Sequence, residues 1–506
     1  MGRRKLKVLG VGRSVRLFYF KIIFFVGTDL CFIIVFMKKI KFVFAAVFCA
    51  LNCGVFAQTR SSIQDGAILH AWCWSFKTIE ENMDKIAAAG FSAVQTSPAN
   101  TCLVGDYGGL EIYSEDLNGK WYYHYQPTDW KIGNYQLGTR EDFISMNKKA
   151  EEYGIGVIVD VLPNHTTPRI KEISQDLIDA VGGIEKLYHK NNDHGIRSYE
   201  DRLECTTAQM GGLPDVNTEN PDFQAYYMKY VNDLIDCGAD GFRYDTAKHI
   251  GLPDDPKDPY AKVNNFWPIF LGKESVKGEF MHKNSDELFI YGEVLQGGNS
   301  REDAYGKLMP VTASNYGSIV RAALASSKFS AKGLKNWQHP AAPKNIVTWV
   351  ESHDTYANHG ESAHLTNAQL RMGWALIAAR AGGTPLFFSR PQGKEATQFP
   401  GASKIGDIGN NEFMNPEVVA VNKFRTAMVG ELEELVNNGK DVSVLGIKRG
   451  EKGIVIINSN KKSAKIEIPV SFADGTYIDK ANGKKFSVEN GILKGKMNKE
   501  SVCVIY

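Results

Sequence analysis

From residue 67 onward, short apolar runs alternate with longer stretches in which apolar residues recur every three or four positions. The runs AILHAW (67–72), FSAVQTSP (91–98), GVIVDVL (156–162), DGFRYD (240–245), LFIYGEV (288–294), PVTASNY (310–316), IVTWVES (346–352) and TPLFFSR (384–390) predict eight strands. Several are apolar on consecutive residues, as parallel strands covered on both faces must be. Between them, Ile79, Met83, Ile86 and Ala87 form one helical face, Phe143, Met146, Ala150 and Tyr153 a second, and Phe223, Tyr227, Tyr230, Val231 and Leu234 a third. These faces run out at Gly90, Gly154 and Gly238, residues suited to the left-handed position that ends a helix. Strands and helices in this alternation predict an α/β protein with a closed (β/α)8 TIM barrel. An open doubly wound sheet is the alternative, but no phosphate-binding glycine fingerprint follows the first strand.

Two regions break the rhythm. Residues 165–220 are polar and too long for a simple connection, which predicts a loop-rich excursion after the third strand. After about Leu432 the chain turns to short strands, SVLGIKR, GIVIINS, KIEIPV, GTYID, KKFSVE and SVCVIY, separated by turn pairs such as Asp474-Gly475 and Asn482-Gly483. The expected organisation is a leader at 1–57, barrel at 58–164 and 221–431, the excursion at 165–220, and a C-terminal antiparallel β-sandwich at 432–506.

Charge changes the picture once the leader is set aside. The first 57 residues hold ten Lys or Arg and one acid, leaving 49 basic against 56 acidic residues, a net charge of −7. A mildly acidic body argues against nucleic acid as a partner, because phosphate binding needs a basic face. Lys38, Lys39 and Lys41 precede an apolar stretch from Phe42 to Leu51, and Val55-Phe56-Ala57 ends in small residues. Residues 37–57 therefore read as a signal peptide, with Met37 as the start, and predict a secreted, extracellular or periplasmic protein without a membrane span in its mature form. Cys53 is a poor candidate for lipid attachment behind Ala50-Leu51-Asn52. The five cysteines beyond the leader, Cys73, Cys102, Cys205, Cys237 and Cys503, have no metal-type spacing. A monomer is expected.

Candidate chemistry sits at the ends of the predicted strands. Asp160 and His165 follow the third, Asp245 ends the fourth, Glu293 the fifth, and His353 with Asp354 the seventh. Carboxylates are costly to bury, so three acids converging on one barrel rim suit glycosidic bond cleavage. Arg243 lies two residues before Asp245 and shares its strand face, which would favour the ionised carboxylate that a nucleophile needs. Glu293 closes an apolar strand, where poor solvation would keep it protonated as a general acid. Each acid alone could be structural, through an ion pair, a solvated loop or a local cap. The aromatic cluster Trp121 to Tyr125 fits an aromatic core patch as well as a platform for pyranose faces.

The segments DVLPNH, GFRYDTAKH, GEVLQ and VESHD resemble, in order and spacing, the four signature segments of the α-amylase family, glycoside hydrolase family 13. LPDVN (213–217) is similar to a fifth, and LHAWCWSF, QTSPAN, WYYHYQPTDWKIGNYQLGT, FWPIF and TPLFFSRP extend the resemblance through most of residues 67–506, closest to its secreted bacillary members. The resemblance implies Asp245 as nucleophile, Glu293 as acid/base and Asp354 as transition-state stabiliser. It implies that His165, Arg243 and His353 line the subsite of the reacting glucose, that Tyr122, Tyr125 and Gln126 contact substrate with Tyr125 stacking, and that Lys248 and His249 mark an α-1,4-cleaving member. It implies a structural Ca2+ held by the side chains of Asn164 and Asp215 and the carbonyls of Thr206 and His249. Ser352 stands where animal-type members have the asparagine that helps hold chloride, so no chloride is expected. Residues 189–205 depart from the family pattern.

The implied function is an exported endo-acting α-amylase that cleaves internal α-1,4 bonds of starch-like glucans with retention, its two reacting carboxyls roughly 5–5.5 Å apart. The rivals are a transglycosylase of the same family and a non-catalytic glucan-binding protein on the same barrel.

Overall fold

The computed structural model describes residues 60–104, 121–258, 263–393 and 403–506. The expected leader, with Cys31, Cys49 and Cys53, lies outside the described residues. In chain order the first ten strands are β1 (Ile68–Ala71), β2 (Ala93–Thr96), β3 (Asn100–Cys102), β4 (Pro127–Ile132), β5 (Gly156–Val161), β6 (Gly241–Tyr244), β7 (Phe289–Gly292), β8 (Val311–Thr312), β9 (Ile346–Trp349) and β10 (Thr384–Phe388). Eight of them close a parallel barrel in the order β1-β2-β5-β6-β7-β8-β9-β10 and back to β1. The remaining two, β3 and β4, form an antiparallel pair beside it. All eight barrel strands fall where the apolar runs predict them. The sixth is cut short: Ser314 opens a helix, Ser314–Ser326, so only Val311 and Thr312 pair.

Alternation explains how the barrel is filled. Ile158 joins an interior cluster with Ile68, Ala93, Phe289, Tyr291, Val347 and Leu386, whereas Val157, Val159 and Val161 belong to the larger core packed under the helices. Two residues further along β5 the interior position is Asp160, and parallel register sets it beside Arg243, which in turn sits beside Tyr291. The interior thus changes from apolar to charged toward the C-terminal ends of the strands, the end where barrel enzymes build sites.

Local signals fix the helices around it. Thr139 accepts a hydrogen bond from the Asp142 N–H while the Asp142 carboxylate receives the Thr139 N–H, a capping box opening Arg140–Glu152. Asn220 caps Pro221–Asp236, with proline in the first turn where its missing N–H is harmless. Gly90, Gly154 and Gly238 all take positive φ, as their places at helix ends require. The first helical face is split into Phe76–Glu81 and Met83–Ala88 at Asn82, whose side chain donates to the Thr78 carbonyl.

The C-terminal strands are β11 (Glu433–Asn438), β12 (Asp441–Arg449), β13 (Gly453–Asn458), β14 (Ala464–Pro469), β15 (Gly475–Ile478), β16 (Lys485–Glu489), β17 (Ile492–Met497) and β18 (Ser501–Ile505). They form two four-stranded antiparallel sheets, β11-β12-β13-β18 and β14-β17-β16-β15, around a shared core that includes Val444, Ile456, Ile466, Ile468, Phe486 and Leu493. β14 shows the half-exposed pattern directly: Ala464, Ile466 and Ile468 are buried and Lys465 and Glu467 exposed. Buried Arg380 joins this unit to the barrel. It donates to Glu433 at 2.7 Å, to the Tyr316 hydroxyl at 2.7 Å and to the Leu334 carbonyl at 2.9 Å. Among the described residues, no helix is long and apolar enough to cross a membrane, and the five cysteines are free and buried.

Candidate active site

A cleft of about 780 Å³ opens at the C-terminal rim, and Asp245, Glu293 and Asp354 all line it. Their placement follows from the strands that end there. The Asp245 N–H donates to the Val161 carbonyl at 3.0 Å and the Glu293 N–H to the Tyr244 carbonyl at 2.8 Å, so both acids leave the barrel as direct continuations of its ladder. Thr246, next in chain, adopts φ +47°, an uncommon region for a β-branched residue. That turn aims its N–H at Glu293 Oε2, 3.0 Å away. A strained residue between two strand-end acids is the kind of outlier that marks a site rather than a scaffold.

One guanidinium organises the acids. Arg243 Nη1 donates to Asp245 Oδ1 at 2.5 Å and to both oxygens of Asp160 at 2.8 and 3.0 Å, while Nη2 stands 2.9 Å from Glu293 Oε1. The contact expected from the two-residue spacing of Arg243 and Asp245 is therefore present. Three carboxyls share a single cation, and they cannot all stay ionised in a buried site without great cost. Burial opposes charge on Asp245, but Arg243 and then His165 outweigh it and hold the carboxyl below the usual range. For Glu293 burial dominates over Arg243, and the charges of Asp245 and Asp354 add to it, pushing the carboxyl up to about 7. Two acids in one cleft thus carry opposite proton affinities.

The other expected residues gather around them. Tyr122, Tyr125, Gln126, His165, Lys248, His249 and His353 line the same cleft. Tyr125 is fixed by its hydroxyl, which donates to Asp160 Oδ2 at 2.9 Å, and by its ring, stacked on His353 with centroids 5.0 Å apart and 22° between planes. Burial holds both His165 and His353 below the usual imidazole value, so each is neutral near pH 7. His165 Nε2 then donates to the Tyr125 carbonyl at 3.0 Å. Lys248 lies over the Tyr199 ring at 5.1 Å and donates to the Leu295 carbonyl at 3.4 Å. Asp354 accepts from the Asn358 amide and has His353 Nε2 at 3.7 Å. The segment Trp121–Tyr125 is at once core and cleft wall: Trp121 and Tyr123 are buried, and Tyr122 is half-buried.

Arg243 stands with the acids, its guanidinium in contact with Asp160, Asp245 and Glu293. Asp160, singled out by sequence only as a strand-end acid, is the anchor that ties Arg243 to Tyr125. The signal was available: a charged residue in a run of valines has no solvent face to occupy.

The expected metal ligands are paired two by two. Asn164 Nδ2 is 3.3 Å from Asp215 Oδ2, and His249 Nδ1 donates to the Cys205 carbonyl at 2.8 Å, which draws the turn of His249 against the helix that carries Thr206. Sequence reasoning missed the partner of this cluster. His189 donates through Nδ1 to Asp215 Oδ1 and through Nε2 to Glu219 Oε2, both at 2.6 Å. Burial pushes the Asp215 carboxyl up to about 7 against the pull of His189, and neutral oxygen donors lie beside it. A hard cation suits that donor set. Among the described residues, no group of three or more His, Cys, Asp or Glu is arranged to hold a metal, so such an ion would rely on carbonyl oxygens.

Comparison with known proteins follows the same line. The model of the alpha-amylase catalytic domain matches residues 205–366. An alpha-amylase of Butyrivibrio fibrisolvens is 47% identical over 470 residues, covering 88% of this chain and 48% of its own length. One from Clostridium acetobutylicum is 36% identical over 450 residues, covering 88% and 54%. The chain thus spans about half the length of these relatives. Among solved structures, wild-type alpha-amylase I from Eisenia fetida aligns with a TM-score of 0.70 at 18% identity, over 87% of this chain and 97% of that one. A mutant of the same enzyme, in complex with maltohexaose, aligns with a TM-score of 0.68. These two share the fold.

Proposed function

We propose that this chain, which matches the alpha-amylase catalytic domain over residues 205–366, hydrolyses internal α-1,4 bonds of starch-like glucans with retention of configuration. The observation that carries this reading is the meeting of Asp245 and Glu293 on one guanidinium, that of Arg243, where Arg243 lowers the proton affinity of Asp245 and burial raises that of Glu293. Glu293 gives that proton to the glycosidic oxygen as the bond to the anomeric carbon breaks, and Asp245 bonds to that carbon from the opposite side. The leaving chain departs with a new hydroxyl. Glu293, now ionised, takes a proton from water, whose oxygen attacks the same carbon and expels the Asp245 carboxylate. Asp354 faces the positive charge that develops on the sugar, a contact stronger in the transition state than in the ground state. The stacked Tyr125 and His353 present flat apolar area to the reacting ring, and the neutral His165, whose one N–H is taken by the Tyr125 carbonyl, keeps Nδ1 as an acceptor. The inner donors are fixed before substrate arrives, so little reorganisation is needed.

Product analysis separates hydrolysis from its rival. Digestion of amylose is expected to give a fast fall in mean chain length with few glucose units released, as internal cleavage requires. Elongated oligosaccharides as the main product from concentrated maltoheptaose would assign a transglycosylase instead.

Calcium would be held by the side chains of Asn164 and Asp215 and the carbonyls of Thr206 and His249. Its contribution would be structural, pinning the excursion to the turn that carries Lys248 and His249. EDTA is expected to lower the melting temperature by at least about 5 °C, with recovery on adding Ca2+. An unchanged melting temperature, with no calcium found by elemental analysis, would remove the metal from the account.

A further inference from the structure

Asp245 and Glu293 are cross-braced by Arg243, but Asp354 is not. Its hydrogen-bond partner Asn358 and its neighbour His353 both lie in the same loop, residues 351–365, which also brings His359 and Glu361 to the cleft. The position of Asp354 therefore depends on how that loop is anchored. The anchor is a buried ion pair outside the reacting set. Arg390, just beyond β10 and 1% exposed, donates through Nε to Glu351 Oε1 at 2.7 Å and through Nη2 to Glu351 Oε2 at 2.6 Å. The same guanidinium donates to the Leu365 carbonyl at 2.9 Å and the Ser362 carbonyl at 2.6 Å, and it lies over the Tyr356 ring at 4.9 Å. One side chain thus grips the first residue, the middle and the last residue of the loop. Within it, Tyr356 N–H donates to the Ser352 carbonyl and Ser362 N–H to the Thr355 carbonyl, both at 3.0 Å, which ties the loop's two arms together. From the cleft side Arg321 donates to the Val350 carbonyl at 3.1 Å and to Glu361 Oε2 at 3.0 Å, a second brace that does not reach the Ser362 and Leu365 carbonyls held by Arg390.

We propose that the Arg390–Glu351 pair is a positioning device for Asp354, setting the third acid at the depth the reaction requires. The proposal rests on the reading of Asp245, Glu293 and Asp354 as a glucan-cleaving set. Neither Arg390 nor Glu351 lines the cleft, so the pair acts through the loop. A displacement of about 1 Å at a reacting group costs on the order of a hundredfold in rate. A pair retained only for stability would behave differently, since well-packed apolar residues of similar volume replace a buried ion pair without loss.

The test compares wild type with Glu351→Gln, Arg390→Lys and the double variant Glu351→Met/Arg390→Met, following kcat and KM on maltoheptaose together with the melting temperature. Each single variant is expected to lose at least about tenfold in kcat, with KM within about threefold of wild type. The double variant should melt below wild type, because the Leu365 and Ser362 carbonyls lose their donor, but above either single variant, and keep the kcat loss. Recovery of kcat along with stability would reduce the pair to packing and overturn the proposal. If the double variant does not fold, Glu351→Gln decides, because it keeps the side chain's shape but only one of the two oxygens that accept from Arg390: wild-type kcat in that variant overturns the proposal equally. Failure of the wild type itself to cleave maltoheptaose would refute the proposed function, an outcome distinct from variants that match an active parent.

Discussion

Replacing Asp245 by Asn should abolish starch cleavage, with a loss in kcat of at least about 10⁴-fold, and leave glucan affinity within a few-fold of wild type. The amide has the shape of the carboxylate and can still accept from Arg243, so the strand end keeps its geometry. It cannot bond to an anomeric carbon and later leave. Binding should survive because Tyr122, Tyr125, Gln126 and His353, which line the cleft, do not depend on that charge. The check is kcat on amylose beside calorimetric titration with maltoheptaose. Residual activity within a hundredfold of wild type would assign the nucleophile elsewhere. Loss of binding in step with activity would mean that Asp245 holds the site together rather than attacking from it.

The second large effect concerns pH. The reactive form needs Glu293 protonated and Asp245 ionised. Because burial pushes Glu293 up to about 7, kcat/KM should fall as pH rises through that value, when the acid loses the proton it must donate. Because Arg243 and His165 hold Asp245 below the ordinary aspartate value despite burial, the acidic limb should lie below that of a free aspartate. The expected profile is a bell whose basic side is set by the acid and whose acidic side is set by the nucleophile. Glu293→Gln should cost about 10² to 10⁴-fold in kcat and erase the basic limb, since the amide has no proton to lose in this range. Rate–pH profiles of the wild type and this variant settle the matter. A basic limb that survives in the variant would belong to another group.

Much of this was legible in the chain, for identifiable reasons. Runs such as GVIVDVL can be apolar on consecutive residues only if both faces are covered, which is why the strands and their closure into a barrel could be read. The acids stood out because Asp245 and Glu293 end such runs, where burial makes a charge expensive. What escaped reading depended on partners distant in sequence. β11, EELVNN, has no apolar alternation, and it exists because Glu433 meets the buried Arg380 and the strand pairs along β12. β3 and β4 carry polar and proline residues, so their pairing had no periodic signature. The spacing of Arg243 gave its pairing with Asp245, yet nothing local revealed that Asp160 and Glu293 would draw on the same guanidinium. His189 was hidden for the same reason, because its two acids follow it by 26 and 30 residues and become neighbours only when the excursion folds. Local chemistry is written in the sequence, whereas shared charges are written in the fold.

The most direct measurement is proton NMR of the first anomer released from maltoheptaose. Two successive displacements at one carbon, first by Asp245 and then by water, predict that the α-anomer appears first and equilibrates slowly to the mixture. Initial release of the β-anomer would mean a single displacement by water, and the covalent role assigned to Asp245 would fall.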